Sequence, residues 1–276
     1  MGQKKKNAVP QEELLKSLMV LVEDDADIIK SGIDINDEFL LSFLIGRKYN
    51  LATAYETIQK YVDVRRRKYV KFFSQLSPMT LLYMYDFPRF MGLLKYRDPI
   101  TGCMVFVFRS PPDSNTTWIT IEDITTALAL ALDELIYVDT AVNNGLILVA
   151  SGEGFGFSRM RDFTPARIKI LIDICYNAYP FNIKQFHLVQ CSSLFNATVK
   201  ICKPFLPRKL RNRIVVHNTI ESFHDVVPPN VTPSWAGGTG SAEKDWEVFD
   251  YTLERATLDR TEYHEKLAKR LAEGMT

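Results

Sequence analysis

Apolar residues recur along this chain with two different periods, and the change of period divides it. From Pro10 to about Gln75 the period is helical. Pro10 stands at a helix start, with Glu12 and Glu13 in the first turn, where acidic side chains complement the helix dipole. Asp34–Asn50 carries Ile35, Phe39, Leu40, Phe43 and Leu44 at spacings of three and four. Leu51–Phe73 turns Ala54, Ile58, Tyr61 and Val62 inward and contains a run of cations, Arg65, Arg66, Arg67 and Lys68, which reads as a solvated helix face.

From Met84 to about Trp235 the pattern changes. Met104–Arg109 and Gly145–Ala150 are uninterrupted apolar runs, as expected of strands buried on both faces. The turn Asp98–Gly102 precedes the first. Ile121–Val142 predicts one long helix, and Thr164 with Pro165 behind it starts another that runs to Ala178. A third strand spans Ile183–Gln190 with Ile183, Phe186, Leu188 and Val189 mostly inward, and Arg213–Asn218 is a candidate fourth. Strands separated by helical crossovers predict an α/β sheet with parallel pairs. Val226–Ser241 is a turn-rich connection, and the charged segment after it predicts a helix that packs back by a narrow apolar stripe. The expected organisation is a flexible basic tail over 1–9, a helical domain over 10–80, an α/β domain over 81–240 and a C-terminal helix over 241–276.

Composition narrows the function. Lys plus Arg (34) balances Asp plus Glu (33), so global charge does not steer the chain toward nucleic acid. No apolar run approaches the ~20 residues that span a bilayer, and no secretory h-region follows Met1. Cys103, Cys175, Cys191 and Cys202 sit in apolar contexts without CxxC spacing, as buried free thiols of a reducing compartment do. The histidines are scattered, so no metal site is expected. Gly2 follows Met1 as in a myristoylation start, but Lys6 occupies the Ser/Thr position. GEGFG (Gly152–Gly156) lacks both the full GxGxxG and a P-loop lysine. It reads as a tight turn with Phe155 and Phe157 as packing residues. No nucleophile, base and oxyanion donors assemble, and no cofactor is expected. Asp133 and Glu134 are adjacent on a helix and diverge, so one is expected to be solvated and one ion-paired. His187 reads as a satisfied core histidine.

One stretch stands apart. Tyr179–Ile214 runs from a strand into an amphipathic helix with Leu194, Phe195, Val199, Ile201 and Cys202, then into the cations Lys203, Arg208, Lys209, Arg211 and Arg213. A greasy helix followed at once by clustered cations suits a surface that meets both a lipid and anionic headgroups.

The residues resemble the CRAL-TRIO lipid-transfer family over nearly the whole chain. Asp37–Ala54 (DEFLLSFLIGRKYNLATA) is similar to the family's helical signature, with Ser42 and Ile45 in place of two arginines and Arg47 kept. DPITGCMVFVFR, NNGLILVASGEGFGFS, the stretch Tyr179–Ile214 and VTPSWAGG resemble successive family blocks in order; Ser151 replaces an acidic residue, while Glu153 and Gly154 are kept.

The resemblance implies an N-terminal helical bundle and a mixed, mainly parallel sheet flanked by helices, enclosing a hydrophobic pocket with a helical lid over about Gln190–Arg213. It implies a non-enzymatic, cytoplasmic carrier, peripheral to membranes and monomeric, that moves one tocopherol, retinoid, carotenoid, sterol or phospholipid. A lipid-gated adaptor without transfer activity is the main alternative; an enzyme acting on a lipid is a second, disfavoured by the missing catalytic set. The implied pocket residues are Leu128, Leu132, Leu146, Leu171, Ile174, Cys175, Phe186, Leu188, Phe195 and Val199. Lys184, Lys209, Arg211 and Arg213 are the implied contacts to headgroups, phosphoinositides included, and Asn182 stands where a further lysine is expected. Tyr137, Tyr176 and Ser193 are candidates for the polar contacts that select the ligand.

Overall fold

The computed structural model describes residues 10–74, 90–110 and 120–274; the predicted basic tail, Gly2 and the junction near residue 80 lie outside these. The helical layer comprises α1 (Gln11–Glu23), α2 (Ala26–Ile29), α3 (Asp37–Gly46), α4 (Leu51–Asp63) and α5 (Val70–Ser74). Short polar side chains start three of them: Asp25, Asn36 and Asn50 accept hydrogen bonds from first-turn N–H groups that would otherwise have no partner. Phe39, Leu40, Phe43, Leu44, Ala54, Ile58, Tyr61 and Val62 join one buried cluster, as their spacing predicts.

One member of the cation run departs from a solvated face. Val64–Lys68 forms a π turn, and Arg65 within it is 0% exposed. Its Nη2 donates to Asp133 Oδ1 at 2.6 Å. Arg66 and Arg67 reach Asp27, and Lys68 pairs with Asp63, at the surface. Helical periodicity could not reveal the inserted residue of a π turn, nor the carboxylate waiting far along the chain.

The sheet follows: β1 (Met91–Arg97), β2 (Met104–Arg109), α6 (Ile121–Leu135), α7 (Asp139–Asn143), β3 (Leu146–Ser151), α8 (Phe157–Met160), α9 (Pro165–Ile172), β4 (Ile183–Val189), α10 (Ser193–Cys202), α11 (Arg208–Arg211), β5 (Ile214–Val216), α12 (Ile220–His224), β6 (Phe249–Asp250), α13 (Thr252–Asp259) and α14 (Thr261–Glu273). The strand order is β5-β4-β3-β2-β1-β6. β2 to β5 pair in parallel, whereas β1 is antiparallel to both β2 and β6. The sheet is mixed and mainly parallel, flanked by helices. The long helix expected over Ile121–Val142 is interrupted at Ile136–Val138, and the one begun at Pro165 ends in a second π turn, Asp173–Asn177.

The sheet is buried on both faces, which is why β2 and β3 read as continuous apolar runs. Val105, Val107, Ile147, Val149 and Val189 pack on one face against Phe223, Val227, Trp235 and Phe249. Phe106, Phe108, Leu148, Phe186 and Leu188 belong to clusters on the other. Both members of the Asp133–Glu134 pair are buried, not one. Asp133 serves Arg65, while Glu134 holds His264 at 2.9 Å and Arg260 at 3.5 Å, clamping α13 and α14 onto α6. The GEGFG turn also divides its two phenylalanines. Phe155 is buried against Phe163 and Phe195, whereas Phe157 is 73% exposed.

His187 is a satisfied buried histidine. Its Nδ1 lies 2.7 Å from His217 Nε2 and its Nε2 lies 3.0 Å from Gln185 Oε1. Burial, aided by His217, lowers its pKa from 6.5 to about 4. The unfolded chain therefore binds this proton at higher pH than the fold does. The linked stability is fully present above about pH 6.5 and is lost as pH falls toward 4, worth about 2–3 kcal/mol. Urea unfolding between pH 7 and pH 4 should show a smaller acid loss in His187→Asn than in the parent; equal losses would refute the assignment.

Candidate functional site: an apolar cavity beside a cation cluster

A cavity of about 240 Å³ lies over the second face of the sheet. A single water needs ~10–15 Å³ and two to four polar partners, so a space this large with apolar walls suits an organic guest better than water. Phe106 and Phe108 of β2, Leu146, Leu148 and Ala150 of β3, and Phe186 and Leu188 of β4 form its floor. Their alternation puts every second side chain of each strand on this face. Ile183 also faces it, although three residues from Phe186, because an irregularity at the start of β4 shifts the pairing from Leu146↔Ile183 to Ile147↔Gln185. The extra residue restores the face and leaves Lys184 exposed on the bulge.

Helices form the other walls. Ile121, Ile124, Leu128 and Leu132 make a stripe down α6. Phe195, Thr198, Val199 and Cys202 make another on α10, continued by Leu206 and by Leu210 of α11. Nine of the ten residues expected to line a pocket are on this wall: Leu128, Leu132, Leu146, Leu171, Cys175, Phe186, Leu188, Phe195 and Val199. Ile174 is not. It is fully buried in the core shared with the helical layer, because the π turn places neighbours Cys175 and Tyr176 on the wall in its stead. The expectation missed Phe106, Phe108 and Leu148, which strand alternation could have supplied, and Ile121, Ile124, Cys202, Leu206 and Leu210, which extend the same helical stripes.

Most polar wall groups are already committed. Ser151 Oγ lies within 2.9 Å of the Trp235 carbonyl and Gln190 Oε1. Thr198 donates to the Leu194 carbonyl, and Arg109 pairs with Glu153 at 2.5 Å. The Tyr179 hydroxyl sits 2.7 Å from both Asp133 Oδ1 and the Ala129 carbonyl. Burial pushes the Cys175 thiol up to about 12 and the Cys202 thiol to about 11, so both stay neutral and unreactive near pH 7. Of the three residues proposed to select a ligand, Tyr176 is on the wall. Tyr137 instead lies under the Arg260 guanidinium, and Ser193 is exposed.

The cations gather at the start of β4. Burial lowers the Lys209 pKa, and Arg213, Arg47, Lys48 and Lys184 lower it further by repulsion. Arg213 donates to Asn182 Oδ1 at 3.0 Å and to the Ile183 carbonyl, so the asparagine that replaces a lysine becomes an anchor. Arg47 donates to the Tyr179 and Pro180 carbonyls at 2.6 and 3.1 Å. Lys48 and Tyr49 both hold φ near +55°, a left-handed turn costing roughly 1–2 kcal/mol per residue that carries the helical layer's two cations to this place. Arg211, two positions from Lys209 on α11, does not share its helix face.

Sequence comparison adds independent information. A sequence model of the CRAL/TRIO domain matches residues 89–238. The chain is 31% identical to alpha-tocopherol transfer protein-like of Mus musculus over 82% of its length and 64% of that protein, and equally identical to the Homo sapiens protein over 87% and 68%. It is 29% identical to clavesin-1 of Rattus norvegicus, covering 80% of this chain and 61% of that one. The chain thus spans somewhat under two thirds of the mouse and rat relatives. The crystal structure of Sfh5 shares the fold with a TM-score of 0.58 at 12% identity, covering 95% of this chain and 98% of that one.

Proposed function

The chain belongs to the CRAL/TRIO domain family, and from that premise we propose that it binds one hydrophobic small molecule in the cavity and transfers it between membranes. Members of this family bind and carry hydrophobic ligands. The observation that carries the reading is the cavity itself, walled by β2, β3 and β4 on one side and by α6, α9, α10 and α11 on the others. Each buried methylene of a lipid is worth about 0.8 kcal/mol, so a long chain leaves such a site for water very slowly. Release therefore needs a surface where the opened walls meet acyl chains.

The segment from Gln190 to Arg213 is suited to be that lid. Its inner stripe faces the cavity, while Ile201 and Phe205 are 49% and 48% exposed on its outside; Phe157 of α8, a helix that contacts α10, is exposed as well. Lys200, Lys203, Arg208 and Lys209 surround them in sequence. Exposed apolar side chains among cations fit an anionic membrane surface, where each cation contributes ~1 kcal/mol. The cluster of Lys184, Lys209 and Arg213 is suited to a phosphorylated headgroup.

Mass spectrometry of lipid extracted from the purified protein tests the carrier reading; a cavity that takes up no lipid from any source would end it. Transfer between donor and acceptor liposomes separates carrier from adaptor, because an adaptor binds lipid without accelerating exchange. Phe157→Asp should weaken sedimentation with anionic vesicles about tenfold, since burying a phenylalanine contributes ~1.5–3 kcal/mol. Undiminished sedimentation would remove α8 from the docking surface.

A further inference from the structure

Tyr176 belongs to both features of the site. Its ring lines the cavity beside Cys202, Leu206 and Leu210. Its hydroxyl makes no hydrogen bond among the described residues and lies in the field of Arg213 and Arg47, which oppose the upward pull of burial on its pKa. The phenol thus remains a neutral donor at the end of the cavity nearest the cations. Arg213 and Arg47 in turn hold only neutral oxygens: Asn182 Oδ1 and backbone carbonyls, with Thr57 Oγ1 for Arg47. No carboxylate forms an ion pair with either arginine, or with Lys209, among the described residues. Glu56 acts on Arg47 only from a distance, without an ion pair. Two half-buried arginines with exposed Lys209 beside them, adjoining an apolar cavity through one free hydroxyl, are complementary to an amphiphile with an anionic end.

Building on the carrier reading, we infer that the cavity and the cation cluster form one site, and that its cargo is an acidic lipid: the chain lies in the cavity and its terminal oxygens meet the Tyr176 hydroxyl and the Arg213 guanidinium. Hydrogen bonds to charged groups are about twice as strong as neutral ones, so the acid is favoured over the alcohol of the same chain. An anionic oxygen could instead be supplied by a membrane headgroup, with a neutral cargo inside; measurements without any membrane separate these sources.

Equilibrium binding of radiolabelled oleate and oleyl alcohol to the full chain, in vesicle-free buffer, provides the test. The parent should prefer oleate by tenfold or more. Tyr176→Phe, which keeps the ring on the wall, should cut that preference severalfold, and Arg213→Gln should abolish it while oleyl alcohol still binds. Equal affinities in the parent, or a preference that survives both substitutions, would overturn the inference and leave the carrier reading standing. Failure of both probes to bind would count against the carrier reading itself.

Discussion

Replacing Asp133 by alanine should lower the unfolding free energy by about 3–5 kcal/mol, the cost of leaving a buried charge without its partner. Three donors converge on Asp133 Oδ1: Tyr61 Oη at 2.8 Å, Arg65 Nη2 at 2.6 Å and Tyr179 Oη at 2.7 Å. Arg65 is enclosed by aromatic rings, with its guanidinium carbon 3.4 Å from the Tyr61 centroid and 4.7 Å from that of Phe73. Burial disfavours its charge, and the Asp133 carboxylate more than restores it, leaving the net pKa raised. With the carboxylate gone, the cation has neither water nor counter-charge.

The network also joins layers: Arg65 comes from the π turn after α4, Asp133 from α6, and Tyr179 from the cavity wall. Urea denaturation measures the effect. The double variant Arg65→Met with Asp133→Leu should recover much of the loss, because apolar packing replaces a buried ion pair at little cost. A single substitution costing under about 1 kcal/mol would mean that water reaches the site and that the charge is not confined.

Leu148→Trp should reduce lipid loading by tenfold or more, equivalent to about 1.4 kcal/mol or greater, while leaving unfolding stability unchanged or raised. Leu148 is the middle of the cavity floor. It pairs with Phe106 on one side and Phe186 on the other, and all three side chains face the cavity. An indole here projects into empty space and not into packed neighbours, so it fills volume without the overpacking strain expected in a dense core. Mass spectrometry of extracted lipid reads the first outcome and urea denaturation the second. Normal loading would place the cargo elsewhere. A large loss of stability would show that the space is not free.

Much of this site could be read in one dimension because its parts are periodic. β2 starts and ends where the apolar run Met104–Arg109 does, and the stripe Phe195, Val199 and Cys202 follows helical spacing. Such patterns repeat a local rule, and a hydrophobic face needs no knowledge of its partner. The antiparallel strands β1 and β6 escaped, since Lys95, Tyr96 and Arg97 dilute the first and the second, at the sheet edge, is two residues long. The amino-acid order by itself thus determined the α/β class, the stripes of the cavity on its strands and on α10, and the presence of cations after α10. Tertiary structure alone decided the rest: that Arg65 goes inside, that the bulge at Lys184 and the π turn at Cys175 reset which side chains face the cavity, and that Arg47 and Lys48 join Lys209 and Arg213 from more than 100 positions away. The physical reason is that periodicity encodes burial, whereas the place of a charge depends on counter-charges and carbonyls brought together only by the fold.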